Sequence, residues 1–289
     1  MQMLKGILVM ARFALLEVLR KKVVLAGMLL TCVYLLLFGL GLHYLGANIG
    51  AVQRQLAGFG LFSMGFYLAT FMTVLIAGFA GVGAISGEIE SGTAYALLAE
   101  PVSRSQILLG KFVGYGLMMC AYAAFFFFVL WGLMAWQFGV VLPGPWTVLP
   151  LFLLQPLIIL ALAFWGSTMM STLANGITIF LLYGIVLVAG MIEQIGAFIQ
   201  MTGASAAAHA AGVMINIGIV SSLILPLDAL YRRAVFVLLS NTGNLLGSLQ
   251  SLGPFGSMSV PSAAMVVYAW IYLAGCLLLA VRSFMGRDI

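Results

Sequence analysis

Charge is what this chain has least of. Charged residues make up 7% of its 289 positions, twelve Lys and Arg against seven Asp and Glu. A water-soluble domain carries about 25%, so no hydrated surface can be built from this inventory. Histidine is nearly absent too, with two in the chain, and the three cysteines, Cys32, Cys120 and Cys276, fall in separate apolar runs without CxxC spacing. That argues against a metal or disulfide framework and favours the thiols as small packing groups. No HExxH and no Gly-x-Ser-x-Gly occurs, so neither a zinc hydrolase nor a nucleophile elbow is encoded. Strict apolar–polar alternation, the mark of a membrane barrel, is missing as well.

What remains is grease. Hydrophobic residues are 64% of the chain and the mean hydropathy is +1.20. The apolar runs are long enough for helices to cross about 30 Å of hydrocarbon at 1.5 Å per residue. They predict spans at 23–45, 59–85, 112–139, 147–170, 177–198 and 263–281. The seventeen methionines are scattered through these runs and read as packing groups. The fold class is all-α integral membrane, six transmembrane helices in a single domain, 1–289. Residues 2–20 predict an amphipathic helix lying in the membrane surface, with Leu4, Ile7, Leu8, Ala11, Leu15 and Val18 on its apolar face. The basic cluster Arg20-Lys21-Lys22 then precedes a run too long for a signal h-region, which reads as a retained first span. Trp131, Trp136 and Trp146 flank the 138–146 turn as an interfacial belt.

Basic residues orient the bundle. Lys5, Arg12, Arg20, Lys21, Lys22, Arg104, Lys111, Arg282 and Arg287 fall on the side of the termini. Only Arg54, Arg232 and Arg233 fall on the other. This excess predicts cytoplasmic termini. Residues 199–262 form the long outer region. Its apolar stretch 210–225 is short and ends at Pro226, so it is expected to be re-entrant or interfacial, supported by the Asp228–Arg232 pair at i,i+4. A full span there would put Arg282 and Arg287 outside.

The polar segment between spans 2 and 3 breaks the pattern. Glu88, Glu90 and Glu100, three of the seven acids, lie here with Arg104 and Lys111. Gly83 and Gly87, like Gly110 and Gly114, are four apart and allow close helix approach. Gly92 interrupts a short helix over 88–99 and Pro101 stops it. Ser103 with Gln106 forms a capping box that starts the next helix. Helix, stop, cap and helix make an ordered elbow, with Glu88 and Glu90 expected to face water or a protein partner.

"GEIESGTAYALLAEPVSRSQILLGKFVG", residues 87–114, resembles the signature of the ABC-2 type ABC-transporter permeases. In that family G-E-x-x-x-G-T, then P-[VI]-S-R and I-L-x-G-K, join the second and third spans. The resemblance implies that Glu88, Glu90, Gly92 and Thr93 belong to a cytoplasmic coupling element, 86–111, that meets a nucleotide-binding subunit. Pro101, Ser103, Arg104, Gly110 and Lys111 would shape its return to the membrane. It further implies the permease subunit of a prokaryotic ABC exporter in the cell membrane. Its partners would be an ABC ATPase subunit, a second permease copy or paralogue and the bilayer, with no role for nucleic acid.

No phosphate loop accompanies this signature. Gly110-Lys111 is followed by Phe112 and lacks the earlier glycine, so the nest of backbone N–H groups and the magnesium-binding hydroxyl are both missing. ATP and Mg belong on the partner ATPase, and no cofactor is expected in this chain. Glu193, with Gln194 beside it, lies towards the outer end of span 5. A carboxylate there either snorkels to the surface or lines an exit pathway. The rival classes are an ion-coupled secondary transporter, which needs ionisable groups near the midplane, and a membrane assembly or signalling scaffold.

Overall fold

A computed structural model of the chain describes residues 2–93, 103–139, 144–202, 208–240 and 259–287. Regular structure among them is helical. An N-terminal helix α1 (Gln2–Arg20) leads into α2 (Lys22–Asn48) and α3 (Ala51–Val82), which is followed by the short α4 (Ser86–Glu90). Then come α5 (Arg104–Phe138), α6 (Pro145–Met169) and α7 (Thr172–Met201). The pair α8 (Ala208–Ile224) and α9 (Leu227–Ser240) precedes the last helix, α10 (Ala264–Met285). The six helices long and apolar enough to span are α2, α3 with its extension through α4, α5, α6, α7 and α10. Each coincides with a predicted span.

Burial sorts them into an inside and an outside. The most apolar windows of α3 and α6 are each 67% buried, against 22% for α2 and α10. So α3 and α6 form the core and the other two line its edge. The centre is aromatic: Phe66 of α3 lies 5.1 Å from Phe152 of α6 and 5.7 Å from Tyr231 of α9, ring to ring. Such offset and tilted pairs add directional attraction to the packing of helices in lipid, where no hydrophobic difference drives association. At the turn after α5, Gly139 takes φ +63 as the helix stop, and Pro145 opens α6 where a missing N–H costs nothing. Trp136 and Trp146, on either side of this turn, are 82% and 72% exposed.

The N-terminal helix departs from expectation. Its buried stripe is Met10, Ala11, Ala14 and Val18, and Leu8 is exposed; Leu4's side chain lies outside the described residues. The reason is on α5. A Cβ on Gly110 would stand 2.4 Å from Met10 Cβ, and one on Gly114 would stand 2.4 Å from the Ala11 carbonyl oxygen. The two glycines form a flat track on which α1 lies backbone to backbone. The apolar stripe therefore faces protein at Ala11 and Val18, while Leu8, Val9, Phe13 and Leu16 face outward.

At the opposite end, α8 runs antiparallel to α7. Gly196 meets the Ala211 carbonyl and Met214, and Gly218 meets Glu193. Two residues past α8, Pro226 breaks the helix and α9 leaves at 107° to α8. Tyr231 then donates to the Ser63 carbonyl of α3 at 3.0 Å, anchoring α9 on the core.

Candidate functional site

The elbow is built around one lysine. Lys111 sits about two turns past the Ser103 cap of α5, with its side chain 3% exposed. Its ammonium is ion-paired with Glu88 of α4, lies 3.3 Å from Glu17 Oε2 of α1, and donates to the Ala84 carbonyl at 3.1 Å. Glu17 in turn accepts from the Tyr115 hydroxyl at 2.7 Å and lies 3.7 Å from Lys21. Lys21 donates to the Ala80 carbonyl at 3.3 Å and covers the Tyr115 ring at 4.8 Å. Two carboxylates and two ammoniums thus balance at the end of α3, where cations also suit the exposed carbonyls of a helix C-terminus. Burial pushes the Glu17 carboxyl up, but Lys111, the Tyr115 hydroxyl and Lys21 outweigh it and hold the group below the usual carboxylate range.

A second set of ties secures α4 to α6 and α7. Ser167 Oγ of α6 accepts from the backbone N–H groups of Ile85 and Ser86 at 2.9 and 2.8 Å. Asn175 of α7 donates to the Val82 and Ala163 carbonyls at 2.9 and 2.8 Å, joining α3, α6 and α7. Glu90 Oε1 accepts from the Thr172 N–H at 2.8 Å, placing a carboxylate on the positive end of α7. A Cβ on Gly83 would lie 3.2 Å from Thr172 Cγ2, so the small face predicted there receives α7.

The return arm follows the sequence closely. Ser103 Oγ accepts from Gln106 N and Gln106 Oε1 accepts from Ser103 N, which is the reciprocal capping box. From that cap α5 runs unbroken to Phe138, so return arm and span 3 are one rod. Arg104 donates to the Phe284 carbonyl at 3.3 Å and to the Arg287 carbonyl, while Arg287 donates to the Thr168 carbonyl at 2.8 Å. The chain's C-terminal end is thereby tied to the elbow. Ser91, Gly92 and Thr93 form the exposed tip of the described part of the elbow, with Gly92 at φ +76. Pro101 lies outside the described residues, as does the part beyond Thr93 of the helix expected over 88–99.

One expectation is corrected. Glu88 does not stand free for water or a partner: its side chain is 24% exposed and paired with Lys111. Glu90 is exposed, yet its carboxylate is engaged on α7. Both acids are ties to neighbouring helices, and Glu90 shares its exposure with the adjoining Ser91–Thr93. Sequence reasoning missed Glu17, Ser167 and Asn175. Glu17 had a usable signal: it stands i,i+4 from Lys21 on α1.

Glu193 departs from one of its two expectations. It is 1% exposed and ion-paired with Arg232 of α9, so it does not snorkel. Arg232 Nε stands 2.8 Å from Asp228 Oδ2, the i,i+4 pair read from the sequence. Gln194 is buried beside it. With Thr172 near the elbow, Glu193 is 21 residues further along α7, about 32 Å at 1.5 Å per residue. The two charged clusters therefore mark opposite ends of the bundle.

A family model described as ABC-2 family transporter protein matches residues 10–289. Among curated proteins, the chain is similar to a probable ABC transporter permease protein NosY of Stutzerimonas stutzeri, 56% identical over 52 residues. The NosY of Pseudomonas aeruginosa is 52% identical over 52 residues. Each match covers 18% of this chain and 19% of the relative.

Proposed function

Since the chain belongs to the ABC-2 family of transporter proteins, being matched over residues 10–289, we propose that it is the pathway-forming subunit of an ATP-driven exporter. Its motor is a separate ABC ATPase, which carries the ATP and magnesium, and a second permease copy completes the pathway. The termini and elbow face the cytoplasm of a prokaryotic cell, where the motor binds the tip at Ser91–Thr93. The observation that carries this reading is the wiring of the elbow. A push on α4 reaches α1 and α5 through Glu88 and Lys111, α6 through Ser167, and α7 through Glu90. A loop that merely anchored headgroups would need none of these ties. Force entering at the tip is thus delivered to the ends of four helices at once, and rigid rods such as α5 and α7 transmit it to the far end.

The test is reconstitution with an ABC ATPase subunit that co-purifies with the chain. Gly92→Pro cannot adopt φ +76 and should leave the bundle folded while lowering transport per ATP hydrolysed. An unchanged ratio, with the motor still bound, would remove the tip from the coupling path.

A further inference from the structure

The edge helix α10 is tied at both ends and sparsely packed between them. Its buried residues, Ala269, Leu273, Cys276, Ala280 and Phe284, form a single stripe at helical spacing, so the shaft meets its neighbours along one narrow line. The inner end is held more firmly. A helix terminus leaves its last carbonyls without intrahelical donors, and here arginines supply them. Arg104, the first residue of α5, donates through Nη1 to the Phe284 and Arg287 carbonyls and lies over the buried Phe284 side chain, 6.0 Å from its centroid. Arg287 donates to the Thr168 carbonyl near the end of α6, and the preceding Ser167 receives the Ile85 and Ser86 N–H groups at the start of α4. Because Lys111 of α5 is paired with Glu88 of α4, these ties close into a circuit: α4, α5, the end of α10, α6 and α4 again.

The outer end is fastened to the bend between α8 and α9. Tyr268, about one turn into α10, donates to the Leu223 carbonyl in the last turn of α8. Just before α10, the Ser259 hydroxyl accepts from Arg232 at 2.8 Å and the Pro261 carbonyl accepts from Arg233 at 3.2 Å, both donors belonging to α9. With 22 residues, α10 is about 33 Å long at 1.5 Å per residue, so it reaches from the circuit to the bend. We propose that α10 is a connecting rod that carries the elbow's movement to the outer α8–α9 bend. The proposal rests on the coupling role given above to the elbow, and it makes Arg104 and Arg287 positioning residues for that coupling. Hydrogen bonds from a guanidinium are of the strong, charge-assisted kind, and a cation on the carbonyl end of a helix also answers its dipole. The narrow stripe along the shaft resists a small shift less than these ends do. A stiff helix held at both ends and loosely packed between them passes a displacement on instead of absorbing it.

The experiment follows hydrogen exchange of the full chain in nanodiscs at peptides covering the elbow (84–93) and the bend (221–231), since exchange reports local opening region by region. In the chain alone, Arg104→Gln and Arg287→Gln should each raise exchange at the bend severalfold, although both lie at the other end of the bundle. Arg12→Gln, which removes an exposed cation outside the circuit, should not. Arg287→Lys keeps a donor for the single Thr168 carbonyl and should restore the parent pattern. With the co-purifying ATPase and vanadate-trapped nucleotide, exchange in the parent should change at both elbow and bend. The glutamine variants should keep the change at the elbow and lose at least half of that at the bend. Tyr268→Phe frees the outer end of the rod with the circuit intact; it should have the same effect and covers the case in which an arginine variant does not fold. Parent-like exchange at the bend in both glutamine variants of the chain alone, or a full response at the bend in Tyr268→Phe, would overturn the proposal and leave α7 as the link between the two ends. A parent whose elbow ignores trapped nucleotide would count against the motor reading instead, and the comparison without the motor would still decide for or against the rod.

Discussion

Lys111 is shared by two carboxylates, and that sharing has a measurable signature. In Glu88→Gln the buried ammonium keeps Glu17 at 3.3 Å and the Ala84 carbonyl at 3.1 Å. The expected loss is about 1 kcal/mol, the scale of one partly exposed ion pair. Glu17→Gln should cost about the same, since Glu17 is 38% exposed and solvent screens it. Removing both leaves an ammonium that is 3% exposed with one carbonyl as partner. An uncompensated buried charge costs about 3–5 kcal/mol. The double variant should therefore lose at least about 1 kcal/mol more than the two single losses combined, a coupling within the range of direct contacts.

The assay is a double-mutant cycle on unfolding of the purified chain in mild detergent, read beside transport per ATP hydrolysed with the motor present. Lys111→Met added to the double variant should recover much of the lost stability, because the orphaned charge is gone. It should not recover coupling, because α4 and α1 would no longer be joined. Glu88→Lys sharpens the contrast. It sets a second ammonium against Lys111, and like charges about 4 Å apart repel by about 4 kcal/mol at an effective dielectric of 20. Strictly additive single and double losses, or a Glu88→Lys chain as stable as the parent, would refute the shared-lysine account.

Acidification should loosen the same joint. Glu17 is held below the usual carboxylate range, so its stabilising contribution is complete above that range and is lost as pH falls through it; Glu17→Gln should flatten this dependence in a pH series of melting curves. Gly114→Leu should detach α1, since even a Cβ there meets the Ala11 carbonyl at 2.4 Å, and limited trypsin digestion should then cut after Arg12 and Arg20 faster than in the parent. Arg232→Met should cost about 3–5 kcal/mol by leaving buried carboxylates unpaired, while the same change combined with Glu193→Gln and Asp228→Asn should recover most of that loss in thermal unfolding. In a cysteine-free background, a cysteine at Ser91 should react with an impermeant maleimide only after cells are permeabilised, and one at His209 in intact cells. The reverse pattern would invert the proposed orientation.

Why some of this is legible in the sequence, and some not, follows from the range of the interactions involved. The spans are fixed by runs of apolar residues, and the capping box at Ser103 by a contact three residues long, so both stand in the sequence. The Asp228–Arg232 pair is equally local. The joints are not. Glu17 meets Lys111 across 94 positions and Ser86 meets Ser167 across 81, and no periodicity announces such pairings. Even so, the glycines gave half of one away: Gly110 and Gly114 declared a close approach without naming what approaches. The scarcity of charge makes the remaining inference stronger. A chain with seven acidic residues has placed Glu17, Glu88 and Glu90 in ties at one end and Glu193 and Asp228 at the other. Charges in a membrane protein are costly to keep within the bundle, and these sit where helices change direction. The apolar middle gives the rods their stiffness, and the ionic ends supply the joints about which those rods can turn.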